Sequence, residues 1–247
     1  MNFFSLFKRN IIYKFKKKAL IDKDGVKNFS LDELFHYYGS DKADIFKKTD
    51  SKGHGYSSFY LKNLNNLKDS KINILEIGSY AGASAAAFAK FFPNSNIFCF
   101  DVNITNFKFQ SKKIHVYGLD INNKEKVDKI LKNIFEIHQF NSFDVIIDDG
   151  SHYLSDILHS LNFFFKYLKK NGFFVIEDFK HPNYYEYNKN IEHIFIDDFL
   201  KNILNKRLST STIFSNGEQE YLMNSIKKID IEKGNLKDSD ICFIKKK

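Results

Sequence analysis

The sequence predicts an α/β fold: a Rossmann-like, doubly wound, mostly parallel sheet with an antiparallel C-terminal edge pair and an N-terminal helical extension. Three observations predict it. From Ile72 onward, short runs rich in Ile, Val and Phe alternate with longer helical ones, the pattern of repeated strand–helix–strand units. Several strand-like runs stop at a glycine or an acid, where ligands of open α/β sheets gather. The last two runs, KIDIEKGN and SDICFIKK, read as strands around a turn, a common way of finishing such a sheet.

The elements follow in order. Residues 1–30 form the extension, in which Phe3, Phe7, Ile11 and Phe15 recur at helical spacing with lysines largely between them. Such a basic amphipathic helix lies on an anionic membrane surface, docks on a partner, or packs on its own domain or on a sister subunit of a homo-oligomer. It also carries most of the formal charge of +8. Lys8, Arg9, Lys14, Lys16, Lys17 and Lys18 face no acid within residues 1–20, and once these and the terminal Lys245, Lys246 and Lys247 are set aside, 29 basic residues face 30 acids. A balanced body is not a phosphate-tracking surface, so nucleic acid is not the expected partner.

At 43% hydrophobic and 28% charged, the chain has the composition of an ordinary globule. No run approaches the roughly 18 apolar residues of a membrane span, and no cleavable signal follows the basic residues. Cys99 and Cys242 sit in separate apolar runs and read as packed thiols. A cytoplasmic protein is expected, with peripheral contact at the inner membrane surface through residues 1–20 left open. Residues 31–247 read as a single domain without repeats or linkers.

The first strand, INILEIG, leads into LEIGSYAGAS, where Gly78 and Gly82 permit a tight turn and the next helix presents its N-terminus. The spacing is E-x-G-x-x-x-G and not G-x-G-x-x-G, which argues against a pyrophosphate there. The second strand, NIFCFD, ends in Asp101, about where an acid takes ribose hydroxyls, and Asp120 closes the third, KIHVYGLD. A charged helix through Val127 to Ile137 follows. Then come the strand FDVIIDD with Gly150-Ser151-His152, a helix from Leu154 to Leu168, and GFFVIED ending in Glu177-Asp178.

Glu76 to Gly82, followed by Asp101 and Asp120, resembles the S-adenosylmethionine site of class I methyltransferases. The resemblance implies that Glu76, Gly78, Ser79 and Gly82 face the methionine part, that Asp101 holds the ribose and that Asp120 lies by the adenine. Asp149-Gly150-Ser151-His152 with Glu177-Asp178 resembles the metal-dependent sugar O-methyltransferases of the macrocin and mycinamicin type. By that resemblance Asp149, Glu177 and Asp178 bind Mg²⁺ and His152 is the general base. Asp148 would orient its neighbour or the cofactor, and Tyr56 would fold over the cofactor or pack. YGSDKA (Tyr38 to Ala43) and HGYSSFY (His54 to Tyr60) are similar to elements preceding the sheet in related enzymes. The likeness covers roughly residues 34–180, and 183–226 reads as a variable insertion that sets substrate choice.

Physical chemistry agrees with that assignment. A sugar hydroxyl is a weak nucleophile, and a divalent cation both orients it and lowers its pKa. Hard carboxylates without a nearby cysteine suit Mg²⁺. His152 lies three residues past Asp149, close enough for one turn to bring both to the same hydroxyl, and an imidazole titrates near working pH. Singly, each residue also has a structural reading: Asp149 or Ser151 as a helix cap, His152 as a surface histidine, Glu177 and Asp178 as solvated strand-end acids. His181 and Tyr184 are further candidates to reach substrate. The expected acceptor is a small-molecule sugar or nucleotide-sugar; a diol or phosphoryl acceptor, or a non-catalytic membrane-associated scaffold, are the alternatives.

Overall fold

The computed structural model describes residues 3–191 and 194–247; Met1, Asn2 and the Phe3 side chain, part of the expected extension, lie outside the described residues. The chain forms two compact units, Met1–Asn141 with Gly234–Leu236, and Ser142–Lys233 with Lys237–Lys247.

In the first unit, β1 (Ile72–Ile77), β2 (Ser95–Asp101) and β3 (Ile114–Gly118) run parallel in that order, with Ile74 opposite Ile97 and Cys99 opposite Val116. β1 and β2 are buried almost throughout, which is why they read as continuous apolar runs. The helices are α1 (Phe3–Phe15), α2 (Leu31–Tyr38), α3 (Ser57–Leu64), α4 (Ala83–Phe91) and α5 (Lys124–His138). Alanines at 85, 86, 87 and 89 are fully buried, and their small size lets α4 lie close to its neighbours. Phe88 fills the remaining space, meeting Phe35 and Tyr60 edge-on at 5.3 and 5.1 Å. α2 starts at a reciprocal cap between Ser30 and Glu33. Asp24 joins α2 to α4, accepting from Tyr38 Oη at 2.5 Å and pairing with Lys90 at 2.7 Å.

α1 packs on its own unit, one of the placements open from the sequence. Leu6 is buried, Tyr13 meets Phe107 edge-on at 6.3 Å, and the Asn10 amide donates to the Gly118 carbonyl at 3.1 Å. A Cβ at position 118 would lie 2.6 Å from that amide, so the contact requires glycine.

In the second unit, β4 (Phe143–Asp148), β5 (Leu168–Ile176), β6 (Ile226–Lys233) and β7 (Asp240–Lys246) stand in the order β6-β7-β5-β4. β4 and β5 are parallel and the two C-terminal strands antiparallel, as the sequence predicts. The helices are α6 (Leu154–Phe164), α7 (His181–Tyr184), α8 (Ile196–Leu204) and α9 (Asn216–Ser225). α6 stops short of the expected Leu168, because Leu168 pairs with Phe143 and the sheet takes it. Within 183–226, Phe199 of α8 lies against Phe214 at 4.7 Å, and the buried Gln219 of α9 is bonded to both the N–H and the carbonyl of Ser209.

Candidate active site

Each unit carries one constellation. In the first, the turn after β1 is held from three sides. The Gly78 N–H donates to the Phe100 carbonyl at 2.8 Å, and the Gly82 N–H donates to the Ser79 carbonyl at 2.7 Å. Asp101 accepts from Tyr80 N–H at 2.7 Å and from Asn103 N–H at 2.6 Å, one carboxylate oxygen to each. Gly78, Tyr80 and Gly82 all have positive φ, at 84°, 40° and 75°, a conformation cheap for glycine and strained for tyrosine. Glu76 and Ser79 are buried beneath the turn, and Ser84 Oγ donates to Glu76 Oε1. Asp120 lies just past β3 and accepts from Asn122 N–H at 3.0 Å, forming the bend that leads into α5.

The second constellation lies at the carboxyl ends of β4 and β5. Asp149, His152 and Asp178 place ligand atoms within 4.8 Å of one another. His152 Nε2 is 3.8 Å from Asp149 Oδ1 and 4.0 Å from Asp178 Oδ2. His152 and Asp178 both have left-handed backbones, with φ of 58° and 49°, a strain of about 1–3 kcal/mol each that concentrates at functional sites. Neither helix-cap reading holds: the residue before α6 is Tyr153, with no side-chain cap, while Ser151 Oγ donates to Asp156. Asp148 is buried, accepts from Gly150 N–H at 3.2 Å, and has no partner for Oδ2 among the described residues. Burial pushes its carboxyl up to about 6, against the opposing pull of Ser160, His152 and Gly150.

Residues 75–179 contain the glycine turn, Asp101, Asp120 and the acid–histidine group, and they match the family model described as a methyltransferase domain. L-olivosyl-oleandolide 3-O-methyltransferase of Streptomyces antibioticus is 31% identical over 156 residues, which are 60% of this chain and 36% of that protein. Mycinamicin VI 2''-O-methyltransferase of Micromonospora griseorubida is 26% identical over 132 residues, 51% of this chain and 31% of that one. The chain thus spans only about a third of the length of these curated relatives. MycE methyltransferase from the mycinamycin biosynthetic pathway, solved with Mg, SAH and mycinamycin VI, matches with a TM-score of 0.66 at 20% identity, over 89% of this chain and 55% of that one. That likeness is one of fold, the Rossmann-like, mostly parallel α/β fold expected from the sequence.

Between residues 75 and 179 two further candidates, Gly82 and Glu177, have close neighbours within their own unit. A Cβ on Gly82 would fall 2.4 Å from the Phe107 ring, so that ring, and not open space for a ligand, fills the room the glycine leaves. Glu177 is buried, donates its N–H to the Asp148 carbonyl at 2.9 Å, and is not part of the three-residue group. Ahead of this region, Tyr56 is fully buried. Tyr184 donates to Asp240 at 2.8 Å. His181 stacks toward His152 at 5.6 Å and contacts Asn188 at 2.6 Å. Burial first, then the neighbouring His152, hold its pKa down, while Asp238 and Asp178 draw it up. Neither Asn188 nor Asp238 stands out in the sequence, since nothing local marks them as neighbours of His181. Lys42 is also missed, although YGSDKA contains it: its side chain is 2% exposed, and a buried ammonium is expensive unless paired. A cleft of about 290 Å³ lined by Leu6, Phe7, Asn10, Gly118, Lys126 and Ile130 contains none of the candidate residues.

The donor set fits a hard divalent cation. Asp149 and Asp178 offer the carboxylate oxygens such a cation takes, whereas the His152 imidazole beside them suits softer metals or proton transfer.

Proposed function

We propose that the chain is an S-adenosylmethionine-dependent, Mg²⁺-dependent O-methyltransferase acting on a hydroxyl of a small-molecule sugar, free, nucleotide-linked or glycan-bound, as in surface-polysaccharide or secondary-metabolite synthesis. The observation that carries it is the convergence of Asp149, His152 and Asp178 at two strand ends inside the methyltransferase domain. The relatives named for O-methylation of L-olivosyl-oleandolide and mycinamicin VI support a glycosidic acceptor.

Asp149 and Asp178 would hold the metal, with Glu177 the third ligand suggested by the sequence. When bound, Mg²⁺ supplies orientation and acidification of an acceptor hydroxyl. His152 takes the hydroxyl proton as the oxygen attacks the methyl carbon; the O–C bond forms while the C–S bond breaks, and the sulfonium becomes a neutral thioether. Asp101, fixed by two backbone N–H groups, retains acceptor capacity on both oxygens for ribose hydroxyls. Glu76, Gly78, Ser79 and Gly82 shape the turn for the methionine part, Asp120 serves the adenine side, and Asp148 orients its neighbours. The 183–226 segment selects the acceptor. Two buried free thiols, Cys99 and Cys242, support a reducing, cytoplasmic setting.

The test is calorimetric titration of S-adenosylmethionine with Mg²⁺ and again with EDTA, on the wild type and on Asp101→Ala, followed by a screen of nucleotide-sugars for methyl acceptance. Binding weakened by Asp101→Ala, with acceptance that needs metal, is expected. No binding in either buffer overturns the reading.

A further inference from the structure

We infer that α1 is a docking surface for an anionic lipid bilayer. Its two faces have separate tasks. The inward face serves the fold: Leu6 is buried, Asn10 donates to Gly118, Arg9 to the Val102 carbonyl at 2.9 Å and Lys16 to the Thr105 carbonyl at 2.5 Å. The outward face presents Phe4, Phe7, Ile11 and Phe15 at three- and four-residue spacing, exposed by 80, 57, 41 and 86%, with Ile12 beside them. Single exposed apolar side chains need no explanation, but a continuous stripe about 16 Å long on one helix marks an interaction surface.

Charge selects the occupant. Arg9, Lys16 and Lys18 are engaged by backbone carbonyls, whereas Lys8 and Lys14, on α1 itself, and Lys17, just beyond it, are exposed. Residues 1–20 contain no acid. A second copy meeting the same stripe would bring two acid-free basic segments together, an arrangement like-charge repulsion opposes. An anionic leaflet offers apolar depth for the four side chains and negative headgroups where lysine stems reach. No described helix is long and apolar enough to cross a membrane, so the contact is interfacial. Because the fold already holds α1, the stripe is preformed and docking carries no cost of ordering a helix.

Flotation of the full chain with vesicles tests this independently of the catalytic reading. One vesicle set is phosphatidylcholine and the other carries about one third phosphatidylserine. Binding to the anionic set alone is expected, weakened about tenfold or more by high salt, by Phe4→Ser with Phe15→Ser, and by Lys8→Glu with Lys14→Glu. All four side chains are exposed, so melting temperatures should hold. Absence of anionic-selective binding at low salt, or full binding by either double variant, overturns the inference. So does a lipid-free dimer in sedimentation velocity that Phe4→Ser with Phe15→Ser dissolves, which would assign the stripe to a second copy.

Discussion

Asp178 Oδ2 lies 4.0 Å from His152 Nε2, although the two residues follow different strands. The parallel pairing of Asp148 with Ile176 sets the ends of β4 and β5 level. The left-handed backbones at His152 and Asp178 then turn both side chains to one point. Neither residue type prefers that conformation strongly enough to adopt it unaided, so the surrounding packing maintains it.

His152→Ala should lower turnover by about 10²-fold or more and leave S-adenosylmethionine affinity nearly unchanged. It should also keep the Mg²⁺-dependent rise in melting temperature, because a base is separable from the metal's carboxylates. Single-turnover assays and thermal shift check this; wild-type turnover removes His152 as the base.

Asp149→Asn should abolish activity together with stabilisation by Mg²⁺, since a ligand that binds only the folded state raises its stability. Thermal shift across a Mg²⁺ series reads the outcome. A variant still active and still metal-dependent would show that the ligand assignment is wrong.

Gly82→Ala should lower the melting temperature even without cofactor. The added methyl meets Phe107 at 2.4 Å, and the backbone at φ 75° disfavours any Cβ. Phe107→Leu in the same chain should interact with it non-additively, because shrinking the ring relieves the clash. Strict additivity in a double-mutant cycle would separate the two sites.

Acid should destabilise the first unit through His115. Burial, then the neighbouring His138, hold its pKa down from 6.5 to about 4, and its ring stacks on Phe98 at 5.0 Å. Between those values the unfolded chain binds the proton that the folded chain refuses, so stability falls as pH drops from about 6.5 to about 4. His115→Phe should flatten that part of the denaturation profile; an unchanged slope would exclude His115 as its source.

The strands, the glycine turn and the C-terminal antiparallel pair were legible in the sequence. INILEIG, NIFCFD and FDVIIDD announce themselves through apolar runs that stop at turn residues or acids, a signal contained within a few positions. So were Asp149, His152 and Asp178 as candidates, from their places at strand ends. Other features depend on residues far apart in the chain. Phe107 over Gly82, the burial of Tyr56 and Lys42, the Asn188 and Asp238 neighbours of His181, and the absence of Glu177 from the acid–histidine group leave no local trace.

By itself the sequence determined the α/β class, the order of elements, the basic amphipathic character of residues 1–20 and the site's chemical inventory. Only the tertiary structure decided that α1 turns Leu6 and Asn10 inward and its Phe4–Phe15 stripe outward, and which acids meet His152. The physical reason is range. Periodicity and turn preference act between residues a few positions apart, whereas a side chain's neighbours are chosen by close packing of the whole unit.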